Sequence, residues 1–262
     1  MPKIVSDEQI KDVLLSINSS ARKYFRNMIE IRTGIDPANV KTLDLETSIH
    51  FLKYVWGMCL EWGNQRVNYI ERSIQRLCKF LNSFNSKKEI QDLQIFLQKL
   101  EEFPGVKPVT SISPDDVVRL TGLLPKFDSV GIKTAALIMR FLCLDCSFFD
   151  VDRSKLIPPL DRVNYRMCKQ LFGKKYTMER FGRLRGTFDK KATLAFDDLG
   201  KTILDKNKVL IDNLWFIGHF YHDGTNCNVR QGAKIIELPY LHDVELQASC
   251  PFWEYGCARI DS

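Results

Sequence analysis

Apolar residues recur at every third or fourth position along most of this chain, and polar residues and turn formers divide the pattern into helices. Ser6 ahead of Glu8 and Gln9 reads as a capped start, after which Ile10, Val13, Leu14 and Ile17 share one face. Tyr24, Phe25, Met28 and Ile29 continue the spacing until Thr33-Gly34 and Asp36-Pro37 stop it. Asp44 can cap a helix over 45–62 that is apolar nearly all round, which predicts a central place. Trp62, Gly63, Asn64 and Gln65 break it. The next helix sets Val67, Ile70, Ile74, Leu77 and Leu81 on one face and many basic residues on the other. One amphipathic helix is expected over 86–103, closed by Pro104-Gly105. Ser113, Pro114, Asp115 and Asp116 combine a capping hydroxyl, a first-turn proline and acids on the helix dipole. That short helix should end near Gly122, with a loop through Pro125 beyond it.

Residues 127–166 hold the chain's most structured signal. A tight turn at Ser129, Val130 and Gly131 opens into an apolar helix with Lys133 in its first turn. Ile157-Pro158-Pro159-Leu160 then brakes the chain before a second helix, with Asp161 at its N-cap. A basic segment containing Lys174, Lys175, Arg180, Arg183 and Arg185 follows, then helices over 192–204 and from 206 to about 221. The tail is irregular, and only 234–238 alternates with a period of two. There is no internal repeat. An all-α fold is expected.

Composition narrows the picture only a little. At 262 residues the chain can build one large domain or two lobes sharing a core. No run of eighteen apolar residues exists, so no membrane partner is expected. The start MPKIVSDEQIKDVLL lacks a signal-peptide core. Thirty-eight Lys and Arg against 32 Asp and Glu leave +6, which permits a polyanion partner without requiring one. Eight cysteines with no secretory signal fit reduced thiols in a cytoplasm.

Three residues in the 127–166 stretch have candidate chemistry. Backbone N–H groups at the helix start beside Gly131 suit a phosphate; a plain turn between helices uses glycine equally well. At Lys133 the helix dipole opposes the cation and the apolar neighbours desolvate it, which favours the neutral amine that a Schiff base needs. The other reading is a lysine whose head reaches water. Asp161 is accounted for as an N-cap, and the same carboxylate could stabilise a cationic sugar or accept a proton.

GIKTAALIMRF followed by PLDRVNYRM resembles the signature of the helix-hairpin-helix DNA glycosylase superfamily, in which a PGVGxKTA hairpin places a lysine and a later V-D-x-x-x-x-R places an aspartate. Val130, Gly131, Lys133, Thr134 and Ala135 match the hairpin, and Asp161 and Arg166 match the second motif. Ser129 and Asp128 replace the hairpin's first glycine and proline, and Val163 stands where histidine is frequent. Lys133 and Asp161 are 28 positions apart. That spacing and the prolines before Asp161 look more like the archaeal 8-oxoguanine DNA glycosylase group. LIDNLWFIGHF likewise resembles that group's C-terminal helix, and Leu137 takes the place of an aromatic residue there.

The resemblance implies a two-lobed helical glycosylase with a cleft between lobes. One lobe would combine 1–38 with 173–262, and the other would span 39–172 with its helix-hairpin-helix at 113–146. Lys133 would attack the sugar and Asp161 would assist. Trp215 would stack on the extruded base, with Phe216 and Leu137 beside it. Lys126, Val130, Gly131, Thr134, Arg162 and Arg166 would hold DNA. Trp62, Asn64 and Gln65 would wedge into the duplex, offsetting part of the few kcal/mol that base extrusion costs; a tryptophan packed at a helix junction fits Trp62 as well. The expected partner is double-stranded DNA with a damaged base, and the protein would be a cytoplasmic, nucleoid-associated monomer.

No cofactor is expected. Cys227, Cys250 and Cys257, with His219 or His222, leave an iron–sulfur cluster or a zinc site open, whereas Cys143 and Cys146 read as structural despite their CxxC spacing. Two rivals are a relative resembling endonuclease III that removes another lesion, and a non-catalytic helical DNA-binding protein.

Overall fold

Helix α1 (Asp7–Ser16) begins with a reciprocal cap: the Gln9 N–H donates to Ser6 Oγ at 3.2 Å and the Ser6 N–H to Gln9 Oε1 at 3.0 Å. Helix α2 (Asn18–Thr33) stops where Gly34 takes a φ of +69°, and a 3₁₀ turn, Pro37–Thr42, follows. The structure, a computed structural model, describes residues 5–62, 67–104, 121, 124, 127, 130–181, 190–223, 226–227, 244, 250–252 and 255. The expected helix at 113–122 lies outside them except for Thr121, as do Pro125 and the alternating 234–238.

Helix α3 (Leu45–Trp62) starts at Asp44, whose Oδ1 accepts the Thr47 N–H at 2.7 Å. It is central to its surroundings, packing on α4 (Val67–Leu81), α5 (Lys87–Gln91) and α7 (Ile132–Arg140). Phe51, Val55, Trp56, Cys59 and Leu60 are buried, and the Trp56 indole N–H donates to the buried Ser73 hydroxyl at 3.0 Å. Its apolar character is not all round, however: His50, Tyr54 and Glu61 form an exposed stripe. On α4 the apolar face is buried only from Ser73 onward, and Val67 is 70% exposed. Its first turns project past the end of the core that Leu77, Phe80 and Leu81 fill.

The single helix expected over 86–103 is two, α5 and α6 (Leu93–Glu102). Asp92 breaks it by taking an extended conformation and accepting the Gln94 and Ile95 N–H groups at 2.9 and 3.1 Å, the ordinary role of an N-cap aspartate. Helix α7 continues into a π-turn, Phe141–Asp145, and a 3₁₀ turn, Arg153–Lys155, leads to α8 (Arg162–Phe172). The basic segment begins with α9 (Lys174–Phe181) and is followed by α10 (Lys190–Leu204). The helix expected from 206 to 221 is a 3₁₀ segment, Asp205–Asp212, kinked at Asn207, and then α11 (Asn213–Tyr221). Strands β1 (His222–Asp223) and β2 (Asn226–Cys227) form a two-residue antiparallel pair. The fold class is all-α. No helix among the described residues is long and apolar enough to cross a membrane.

The chain divides into two compact units, Met28–Pro159 and the terminal pair Met1–Asn27 with Leu160–Ser262. The divisions fall inside α2 and just before Asp161, not after 38 and 172, because α8 packs on α11 within the terminal unit. In the middle unit, Trp56, Phe80, Phe84, Phe96, Phe103 and Phe127 make a connected set of edge and stacked ring contacts. In the terminal unit, Tyr24, Phe25, Phe216 and Phe220 do the same.

Two glycines test the packing in opposite directions. A Cβ at Gly200 would sit 2.6 Å from the Lys208 carbonyl oxygen, whereas at Gly57 it would make an ordinary 3.8 Å contact with Ile74 Cδ1. Gly200→Ala is therefore expected to lower stability by about 1–3 kcal/mol. Gly57→Ala is expected to raise it by about 0.5–1 kcal/mol through helix propensity. Urea unfolding midpoints of the two variants check both signs.

Candidate active site

In the middle unit, the turn before α7 is built from a Phe127 N–H bond to the Leu124 carbonyl (3.0 Å) and a Val130 N–H bond to the Phe127 carbonyl (3.3 Å). Gly131 is the N-cap, in ordinary extended conformation, exposed and offering no side-chain acceptor. Among the described residues nothing lies within 4 Å of a Cβ added there. Glycine is an accepted N-cap in its own right, and among the described residues the space beside this helix start also suits an outside anion.

Lys133, in that first turn, is half-buried, and every residue from Thr134 to Arg140 is buried. Leu137 belongs to this packed part of α7. The helix is pinned at its far end by a buried ion pair, Arg140 Nη1 to Asp145 Oδ2 at 2.6 Å, with side chains 1% and 0% exposed. Behind it lies the Cys59 thiol of α3, which burial pushes well above its ordinary pKa although the Arg140 and Lys133 cations oppose the shift. Cys143, also buried, is raised by burial alone, the character of a packing thiol, and Cys146 is buried beside it.

Asp161 belongs to the terminal unit. It is half-buried and caps α8, accepting the Asn164 N–H at 2.8 Å. Two further contacts hold this helix. The buried Asn164 side chain donates to Asp212 Oδ1 at 2.8 Å, at the junction of the 3₁₀ segment and α11. Val163 and Met167 lie against Gly218 of α11, where a Cβ would come within 2.5 and 2.9 Å of their side chains. Gly218 thus permits close approach of the helices bearing Asp161 and Trp215. Val163, where relatives of the resembled family frequently have histidine, is a packing residue.

No protein-family model, curated protein or solved structure matches this chain.

On α11, Trp215 is half-buried and lies parallel to His219, with ring centroids 4.6 Å apart and planes 9° apart. Phe25 and Tyr24 back it at 5.6 and 6.2 Å. Phe216, expected beside it in a base pocket, is instead a core ring, fully buried against Tyr24 and Phe220. Arg162 and Arg166 are both exposed, one turn apart on α8. Arg180 is bonded to the Tyr176 hydroxyl at 2.6 Å, and Lys175 pairs with Glu179 at 3.7 Å.

In the middle unit Trp62 is half-buried, its ring edge-on to Phe141 at 5.9 Å. Asn64, Gln65, Lys126, Arg183, Arg185 and Cys257 lie outside the described residues, as do the side chains of Lys174, His222 and Cys227. Cys250 is buried, and no group of three or more metal-binding side chains occurs among the described residues.

The sequence reading missed Asn164, Asp212 and Asn213. Asn213 Nδ2 donates to the Leu14 carbonyl at 3.1 Å and so ties α11 to α1. Removing the amide that meets the Asp212 carboxylate, in Asn164→Ala, is expected to cost about 1.5–3 kcal/mol in denaturant unfolding, the range of a hydrogen bond to a charged group.

Proposed function

We propose that this chain is a DNA glycosylase with lyase activity, of the helix-hairpin-helix kind, that removes an oxidised base, 8-oxoguanine being the best candidate. The observation that carries this reading is the start of α7. Its N-cap supplies no side-chain acceptor, its surroundings are open among the described residues, and its first turn presents half-buried Lys133 ahead of the buried run from Thr134 to Arg140. A duplex phosphate would dock on the first-turn N–H groups, and the lysine amine would stand beside the attached sugar.

The lysine Nζ attacks C1′ as the bond from C1′ to the base breaks, and the bonding pair leaves with the base. Asp161 stabilises the cationic sugar and accepts the proton that the amine loses. The C1′–O4′ bond of the resulting aminal then breaks, its electron pair taking up a proton at O4′, and the iminium left at C1′ makes a C2′ proton acidic. Its removal expels the 3′ phosphate by cleavage of the C3′–O bond. Support for Asp161 comes from its anchored helix, since a carboxylate on a rigid element is held in one orientation. Trp215, half-buried and backed by three rings, is suited to stacking against a planar base.

Borohydride reduction on a duplex with one 8-oxoguanine is expected to trap a covalent complex with wild type and none with Lys133→Ala. Asp161→Asn keeps an N-cap of equal quality. It is expected to trap about a hundredfold more slowly or worse, the loss typical of a removed acid–base group. Steeply salt-dependent DNA binding without trapping on any of a panel of single-lesion duplexes would replace the enzyme with a binding protein.

A further inference from the structure

A concave groove in the middle unit has no part in the chemistry above. It is about 510 Å³ in volume and runs along α3 between the last turn of α2 and α4. That size is within the roughly 300–1,000 Å³ of small-molecule sites. His50, Lys53, Tyr54, Gly57 and Glu61 recur at helical spacing, so they form one stripe along the groove, with Arg32 and Ile74 opposite.

Three observations say what would fit it. The groove holds Arg32, Lys53 and His50, and its one carboxylate, Glu61, is taken up by Arg32 at 2.6 Å. Lys53 has no carboxylate within ion-pair distance among the described residues and is left to meet an outside anion. Tyr54, next to it, is 54% exposed, so much of its ring faces the solvent. Gly57 stands in the middle of an eighteen-residue helix, where glycine lowers stability, and the protein's own packing does not require it. Its missing side chain deepens the groove floor beside Tyr54.

We infer that the α3 groove is a nucleotide site, with a base laid against Tyr54 over Gly57 and its phosphate met by Lys53 and His50. A lysine beside an exposed ring, with an imidazole N–H to donate, is a pairing that suits single nucleotides and unpaired strands, because phosphate needs the charge and every base has a π-face. The nucleotide can be free or one residue of a DNA strand, and the site does not rest on the Lys133 reading.

Calorimetric titration at low ionic strength with 2′-deoxyadenosine 5′-monophosphate, and separately with a short single-stranded oligodeoxyadenylate, tests it. The variants are Lys53→Ala, Tyr54→Ala and Gly57→Leu; the last fills the floor, and its fold is checked by its unfolding midpoint. Each is expected to weaken binding by about fivefold or more, the scale of one lost base stack or phosphate contact. Weakening with the mononucleotide assigns a free nucleotide, and weakening with the oligonucleotide alone assigns a strand residue. If neither probe binds, or both bind the folded Gly57→Leu protein as they bind wild type, the groove is not a nucleotide site.

Discussion

A carboxylate taken out of water costs several kcal/mol unless a donor meets it, and this chain meets that condition where its helices stop being regular. Asp145, Asp197 and Asp212 are all buried. Asp145 faces Arg140, five residues back. An α-helix would turn those two side chains about 140° apart, and the π-turn at Phe141–Asp145 brings them together. Asp197 on α10 takes Lys208 at 2.5 Å and Lys201 at 2.8 Å, fastening the 3₁₀ segment against the helix before it. Asp212 closes that segment and takes Asn164 of α8. In each case the pair sets the path of backbone that helical propensity alone would carry elsewhere.

This is also why the sequence revealed so much of the helices and so little of their irregular parts. Caps are local: Ser6, Asp44 and Asp161 each bond an N–H three residues on, so the residue and its effect lie within one turn. Periodicity is local as well, and it locates α1, α2 and α4. What fixes the π-turn and the 3₁₀ segment is a partner outside the helical register, and Asn164 and Asp212 are 48 positions apart. Asp92 shows the intermediate case, since a capping residue inside an amphipathic run can be read as a polar-face residue until the backbone shows that it breaks the helix.

Glycines divide in the same way. Gly200 and Gly218 are required by contacts made far along the chain, at Lys208 and at Val163 with Met167, and nothing in their own neighbourhood announces it. Gly131 and Gly57 have room for a side chain among the described residues. At Gly131 an N-cap suffices as a local reason for glycine, whereas Gly57 sits mid-helix, where glycine costs about 0.5–1 kcal/mol and the described residues give no packing reason for it. The first adjoins Lys133, and the second lies in the groove of α3.

Lys133 and Asp161 lie in different units, and each draws its rigidity from the packing of its own. Lys133 stands in the first turn of α7 and Asp161 is the N-cap of α8, helices whose later turns are held by buried contacts. The aromatic pair on α11 shows how far a motif can be taken residue by residue. Consecutive positions on a helix point about 100° apart, so Trp215 and Phe216 cannot both face one cavity. Phe216 fills the core with Tyr24 and Phe220, and that burial holds α11 in place; Trp215, half-buried, lies parallel to His219 on another face of the helix. Burial of Phe216 thus fixes the orientation of the Trp215 ring beside it on the same helix.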